Sequence, residues 1–516
     1  MAHRKLKNLF SKGSIFSNKK EEHAVTHTID QIEALNDLYS TYAHPIKSSC
    51  QTNSKKLHQK KNLISVLKQR EIGQINFHRY PNARYKLMDR LLPNYGEVVA
   101  SMRRPTFCGQ FSEDGQRFFS ACQDYCIRLY DTTTRTFSQQ AQIGAEEVGW
   151  SILDTALSPD RNSIAYATWS DCLYLIKLND NQNQPNITPL HLQPDSHSFS
   201  IFSLQYSVDG SEIIGGSNDT CVYIYDLHKQ SRTLRVEAHE DDVNAVRFID
   251  NSNSLIVSGS DDNLISIWDR RALNESQPKP VGIFAGHTNG ITFVHSRMDT
   301  RYLISNSKDQ SIKLWDMRHF ANESAIETVR TRSHSVDNNW DYRYDGYGPQ
   351  PQKYDISGDP SIRTYRGHSV RYTLIRCYFS PSFTTGQKYI ITGSSDGCIN
   401  IYDVLTGAIK LRLCMSDYTN ESRERCIRDV AWHPFENYII STSWDGPRAH
   451  VRWIQSFDEK INSNTSCSSE PKVVLAEQSA SPMSQRPTTL LRRLLNRQFL
   501  GYYFDDSTNE DSSPEE

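Results

Sequence analysis

The sequence predicts an all-β fold, a propeller of seven four-stranded blades, and two observations carry that prediction. First, short strand-like runs end in an aromatic residue followed by Asp at IRLYD (Asp131), VYIYD (Asp226), ISIWD (Asp269), IKLWD (Asp316) and INIYD (Asp403). Second, another Asp stands seven residues before each of these, at Asp124, Asp219, Asp262, Asp309 and Asp396. Five units sharing one fixed offset mark a repeat, and anchor spacings mostly in the forties fit a four-stranded blade.

Two weaker units bring the number to seven: SDCLYLIK (170–177), and Asp445 to Trp453 (DGPRAHVRW), which is about two residues longer than its counterparts. Turn signals follow an apolar run where a hairpin is expected, in FSEDG at Asp114–Gly115, SVDG at Asp209–Gly210, SPDRN at Pro159–Asp160 and HPFEN at Pro434. The propeller is expected over residues 96–455. An unpaired outer strand in its last blade would be an exposed edge. EVVASM (97–102) and KVVLAE (472–477) compete to close it.

The expected extensions are polar. Residues 1–95 carry a candidate helix, KNLISVLKQR (61–70), with Leu63, Val66 and Leu67 on one face. Between the fifth and sixth units the anchor interval nearly doubles, which places an insertion at 319–364. The tail, 456–516, is Ser-rich and ends in DDSTNEDSSPEE, the composition of a disordered segment. Within it, 489–504 has the pattern of a helix that forms on a partner.

Composition excludes several classes of function. The chain has 58 Lys and Arg against 60 Asp and Glu, so no global field draws it to nucleic acid or membrane, and direct nucleic-acid binding is not expected. No apolar run is long enough to span a bilayer, and MAHRKLKNLF lacks the apolar segment of a signal peptide. The eleven Cys are an odd number without a CxxC pair, with Cys122, Cys126, Cys172, Cys221 and Cys398 in strand-like runs. They read as reduced core residues, with no disulfide frame, metal site or cofactor.

His239, His287 and His368 open the fourth, fifth and sixth units. Paired with Asp262, Asp309 and Asp396, they have the residue types of an acid–base couple. They recur at blade period, however, and a catalytic group occurs once, so the repetition favours a structural tether. Here the chain resembles the WD-repeat family, and the resemblance implies a hydrogen-bonded set within a blade, such as His239, Asp262 and Trp268. His191, His197 and His295 lie outside the period and are the candidates for an enzymatic site. No phosphate-cradling loop or nucleophile motif accompanies them, and no enzyme is expected.

The sharpest local signal is a pair of sixteen-residue segments, IVSGSDDNLISIWDRR (256–271) and LISNSKDQSIKLWDMR (303–318), both ending in WDxR. Trp268, Asp269 and Arg271 form the first box; Trp315, Asp316 and Arg318 form the second. Each Arg is expected just past a strand end, where its planar fork can enter a partner's pocket. A third match, WDYR (340–343), lacks the preceding strand pattern and is set aside. The tandem boxes resemble those of WD-repeat substrate receptors of cullin-4 ubiquitin ligases, whose propeller-built adaptor is damage-specific DNA-binding protein 1. SACQD, AHEDDVNAV, QPKPVG, AGHTNGITF, NWDYR, TLIRCYFSP and VAWHPFENYIISTSWDG extend the likeness over roughly 65–455. The resemblance implies the adaptor and the cullin-4 ligase as partners, cap'n'collar-type transcription factors among the substrates, and a distribution between nucleus and cytoplasm.

Overall fold

A computed structural model describes residues 88–134, 137–178, 186–194, 199–335, 342–343, 356–414 and 425–455. The candidate helices at 61–70 and 489–504, the strand candidate at 472–477 and His197 lie outside the described residues.

Seven four-stranded antiparallel sheets form the blades. In chain order the first is β2 (Thr106–Phe111), β3 (Arg117–Cys122), β4 (Cys126–Asp131) and β5 (Ser138–Gly144). The second is β6 (Asp154–Leu157), β7 (Ser163–Ala167), β8 (Cys172–Lys177) and β9 (Asn186–His191). The third is β10 (Ile201–Tyr206), β11 (Glu212–Ser217), β12 (Cys221–Asp226) and β13 (Ser231–Glu237). The fourth is β14 (Val243–Phe248), β15 (Leu255–Ser260), β16 (Leu264–Asp269) and β17 (Gly282–Ala285). The fifth is β18 (Ile291–Ser296), β19 (Tyr302–Ser307), β20 (Ser311–Asp316) and β21 (Arg363–Arg366). The sixth is β22 (Cys377–Phe379), β23 (Tyr389–Thr392), β24 (Cys398–Asp403) and β25 (Ile409–Cys414).

The seventh blade takes β26 (Ile427–Trp432), β27 (Ile439–Ser443) and β28 (His450–Ile454) from one end of the chain and β1 (Tyr95–Ala100) from the other. Tyr95 pairs with Ile454 and Val98 with Val451, so the N-terminal candidate supplies the outer strand, two residues earlier than its sequence pattern suggested. That pairing ties the ring shut across the chain ends and removes the edge that an open last blade would present.

Blades pack face to face through strand residues buried on both sides, which explains why their inner strands read as apolar runs rather than alternations. Ile291 and Val294 of the fifth blade join Ala245, Val257 and Ile265 of the fourth in one cluster. Gly259 permits this approach, because a Cβ there would meet Ile291 Cγ2 at 2.7 Å. Across the central axis, buried Arg376 donates to Asp154 of the second blade at 2.6 Å and approaches Asp429 of the seventh at 3.4 Å. One guanidinium thereby links three blades.

The insertion after the fifth anchor falls between β20 and β21, the third and fourth strands of the fifth blade. It carries a helix, α1 (Glu323–Ser335), whose N-terminus is capped by Asn322 Oδ1 accepting from Ala325 N at 2.9 Å. Ile326 and Val329 of α1 pack on Leu264, Ile283 and Ala285, so the helix covers the outer edge of the fourth blade. The expectation that the cysteines are all reduced needs correction. Cys398 and Cys414 stand directly opposite on β24 and β25, with Cα atoms 4.5 Å apart, and form a disulfide. Residues distant in sequence but in register across two strands satisfy disulfide geometry without any spacing motif.

Candidate functional site: the paired WDxR boxes

Each box begins as a strand and ends as a turn. In β16 and β20 apolar residues alternate into both blade faces, and Trp268 and Trp315 complete the strands as buried side chains. Two parallel networks lock them. Trp268 Nε1 donates to Ser258 Oγ at 2.9 Å, Ser258 Oγ lies 2.7 Å from His239 Nε2, and His239 Nδ1 lies 2.8 Å from Asp262 Oδ2. In the fifth blade Trp315 Nε1 donates to Ser305 Oγ at 2.8 Å, Ser305 lies 2.7 Å from His287 Nε2, and His287 Nδ1 lies 2.9 Å from Asp309 Oδ2. The protons fall into one consistent order: indole to hydroxyl, hydroxyl to imidazole, imidazole to carboxylate. Burial raises the Asp309 carboxyl, but His287 beside it outweighs that and holds it well below the usual range.

His239, Asp262, His287 and Asp309 therefore assemble as two tethers that join the loop before a blade's first strand to its second and third strands. His368 and Asp396 do not form a third. His368 bonds Tyr402 OH at 3.0 Å and Asn306 Oδ1 of the preceding blade at 2.9 Å. Asp396 instead pairs with Arg412. The cause is local: Tyr402 stands where the fourth and fifth blades have Trp268 and Trp315, and Thr392 where they have Ser258 and Ser305. Thr392 Oγ1 donates to Arg376 O instead.

Past the tryptophans the chain turns, and each Asp organises its own turn. Asp269 Oδ1 accepts from Arg271 N at 3.0 Å and from Arg271 Nε at 2.9 Å, while Oδ2 accepts from Nη2 at 2.7 Å. Asp316 repeats this with Arg318, at 3.0 Å from N, 3.0 Å from Nε and 2.7 Å from Nη2. The Arg271 side chain nonetheless stays 74% exposed and that of Arg318 49%. Each guanidinium is thus held by one edge while much of its surface meets solvent, a pre-oriented donor at low entropic cost. The bonds from Arg271 hold the half-buried Asp269 carboxyl below the usual range. At Asp316 burial acts the other way, and the bonds from Arg318 outweigh it. Arg301 Nε lies a further 3.7 Å from Asp316.

Both boxes lie in loops between a blade's third and fourth strands. In an antiparallel sheet these emerge on the same side as loops between first and second strands. That side exposes Val208, Val281, Met298, Phe383 and Phe435. Phe383 and Phe435 meet edge to face with ring centroids 5.4 Å apart, joining the loops of the sixth and seventh blades. Arg297 Nε donates to Gln387 Oε1 at 2.9 Å, linking the fifth blade to the sixth. Sequence reasoning missed this apolar component, since loop residues carry no period. It also missed Ser258 and Ser305, whose signal was available: each stands ten residues before its Trp.

The residues outside the period do not gather into an enzymatic site among the described residues. His295 is enclosed beside Tyr378 and Phe379, and burial with the nearby Arg247 pushes it down to about 3. His191 lies on the outer strand of the second blade, where Asp171, Cys172 and His191 bring three donor atoms within 4.8 Å of one another. The sequence places those groups about twenty residues apart, and only the β8–β9 pairing joins them. Of the WDYR match only Tyr342 and Arg343 are described; the Lys308 ammonium lies 4.4 Å from the centre of the Tyr342 ring.

A ring of seven four-stranded blades, two of them tied by His–Ser–Trp–Asp networks and presenting two arginines on one face, defines a WD-repeat propeller. The WD domain, G-beta repeat model matches residues 189–226, 229–269, 278–316, 360–403 and 414–446. The chain is 40% identical over 384 residues to the LEC14B homolog of Prunus armeniaca, covering 73% of this chain and 78% of that one. It is 38% identical over 395 residues to the DDB1- and CUL4-associated factor 11 homolog of Caenorhabditis elegans, covering 74% and 66%. A shorter similarity, 34% over 136 residues, relates 26% of the chain to 23% of human DDB1- and CUL4-associated factor 10. The chain belongs to the WD-repeat family of LEC14B proteins and DDB1- and CUL4-associated factor 11 homologs.

Proposed function

We propose that this chain is the substrate-recognition subunit of a cullin-4 RING ubiquitin ligase, docked on the DDB1 adaptor through Arg271 and Arg318. The observation that carries the proposal is the repeated box geometry: two exposed guanidiniums, each fixed by its own Asp, on one face of consecutive blades. The names of the relatives, DDB1- and CUL4-associated factors, support the choice of partner.

In this role the chain performs no bond chemistry of its own. It raises the effective concentration of a bound protein's lysines near the conjugating enzyme carried by the ligase. The exposed Phe383–Phe435 pair and Met298 supply apolar contact around the arginine anchors, the combination typical of interface hot spots. Substrates of the cap'n'collar class, and action in both nucleus and cytoplasm, belong to the same proposal.

Pairing of each Arg with its own Asp also suits a scaffold that uses these residues only to close a turn. The two readings separate on one experiment. Replacing Arg271 and Arg318 together by Ala abolishes co-purification with DDB1 while the propeller stays folded, if the boxes are docking groups. Unchanged recovery of DDB1 favours the scaffold.

A further inference from the structure

The first residue of a blade's third strand and the residue opposite it on the fourth form a slot that recurs around the ring. Cysteine begins the third strand in four blades: Cys126 faces Gly144, Cys172 faces His191, Cys221 faces Glu237 and Cys398 faces Cys414. In the sixth blade the two sulfurs are bonded to each other, so side chains in this slot reach a common point. In the second blade the slot holds a thiol and an imidazole, with a carboxylate from the preceding residue.

We infer that Asp171, Cys172 and His191 form a site for a divalent cation of the zinc class. Cys172 Sγ lies 3.0 Å from His191 Nδ1 and 3.4 Å from Asp171 Oδ1, and the three donor atoms all fall within 4.8 Å of one another. Tetrahedral zinc, with bonds of about 2.0 Å to nitrogen or oxygen and 2.3 Å to sulfur, sets its ligands roughly 3.3–3.8 Å apart. The two distances from the sulfur are within a few tenths of an ångström of that spacing, and His191 and Asp171, within 4.8 Å of each other, are exposed side chains that rotation can bring closer. Thiolate, imidazole and carboxylate together suit zinc better than magnesium or calcium, which take oxygen ligands.

The ladder between β8 and β9 fixes the backbone of both strand ligands, so little ordering is left for the ion to impose. Cys172 is buried and shields the sulfur, whereas Asp171 and His191 are exposed and leave an entry path. Glu147 adds negative charge near the same thiol, which favours a cation. On binding, the Cys172 thiol gives its proton to water and its sulfur takes the ion, with His191 coordinating through Nδ1 and Asp171 through a carboxylate oxygen. The fourth position faces solvent and takes water. Among the described residues the other blades lack this set: Cys126 Sγ accepts from the amide of Gln142 at 3.4 Å, Cys221 faces Glu237 rather than an imidazole, and Cys398 is committed to its disulfide.

Cobalt substitution of the full chain, stripped with chelator, provides the test. One equivalent of cobalt is expected to give a near-ultraviolet sulfur-to-cobalt absorption, which Cys172→Ser abolishes and Cys126→Ser leaves intact. His191→Gln and Asp171→Asn each weaken zinc binding at least tenfold in competition with a chromophoric chelator. These two exposed positions carry the test if Cys172→Ser perturbs folding, which circular dichroism reports. No cobalt–sulfur absorption in the wild type, or its persistence in Cys172→Ser, overturns the assignment. Unchanged zinc affinity in folded His191→Gln overturns it equally.

Discussion

Replacing Ser305 by Ala tests how the fifth blade holds its box. Ser305 Oγ accepts from Trp315 Nε1 and lies 2.7 Å from His287 Nε2, and all three residues are sealed from solvent. Alanine fills nearly the same space but leaves an indole N–H and an imidazole nitrogen buried without partners. Each such group costs about 1–3 kcal/mol, so the substitution is expected to destabilise the protein by roughly 2–6 kcal/mol. Ser441 in the seventh blade is the internal control. It accepts from Trp453 Nε1 at 2.9 Å but has no His partner in its hydrogen bonds, so Ser441→Ala orphans one ring nitrogen and costs roughly 1–3 kcal/mol. Guanidinium unfolding followed by tryptophan fluorescence measures both, with midpoints compared at constant slope. A midpoint shift for Ser305→Ala no larger than that for Ser441→Ala refutes the tether.

Two further outcomes follow from the same structure. Burial pushes His295 and His450 down to about 3 and His368 to about 4, each below the unfolded value near 6.5. Below pH 6.5 the unfolded chain takes up protons that the folded chain refuses, so stability is full above 6.5 and falls towards pH 4, by up to about 1.4 kcal/mol per pH unit for each His. A denaturation midpoint that stays flat from pH 7 to 4.5 contradicts this. Phe383→Asp with Phe435→Asp is expected to weaken DDB1 binding at least tenfold without lowering the melting temperature, because both rings are exposed. Equal binding by the folded variant removes these rings from the docking face.

What was legible in the sequence was whatever recurs. The aromatic–Asp anchors and the Asp seven residues earlier mark third strands and the hairpins before them, and these sit where the repeat places them. Trp268 and Trp315, with their His and Asp partners, were visible because the fourth and fifth units use the same internal bonds at the same offsets. The third tether failed at Tyr402 and Thr392, where two substitutions rewire His368 towards Asn306 of the neighbouring blade. Contacts between strands left no such trace. The Cys398–Cys414 bond, the Asp171–Cys172–His191 cluster and the Arg376 link across the axis each depend on register or ring closure, which no spacing encodes. The short strand β21 and helix α1 escaped notice because an insertion belongs to one blade and has no counterpart to be compared with.

The central claim is that the two box arginines dock the propeller on DDB1, and the direct measurement is a binding isotherm between the purified full chain and purified DDB1. Arg271→Ala and Arg318→Ala are each expected to weaken binding at least tenfold, and the double variant to abolish it. Arg318→Lys, which keeps the charge but loses the planar fork, is expected to fall between wild type and Ala. Wild-type affinity in the folded double variant contradicts the account.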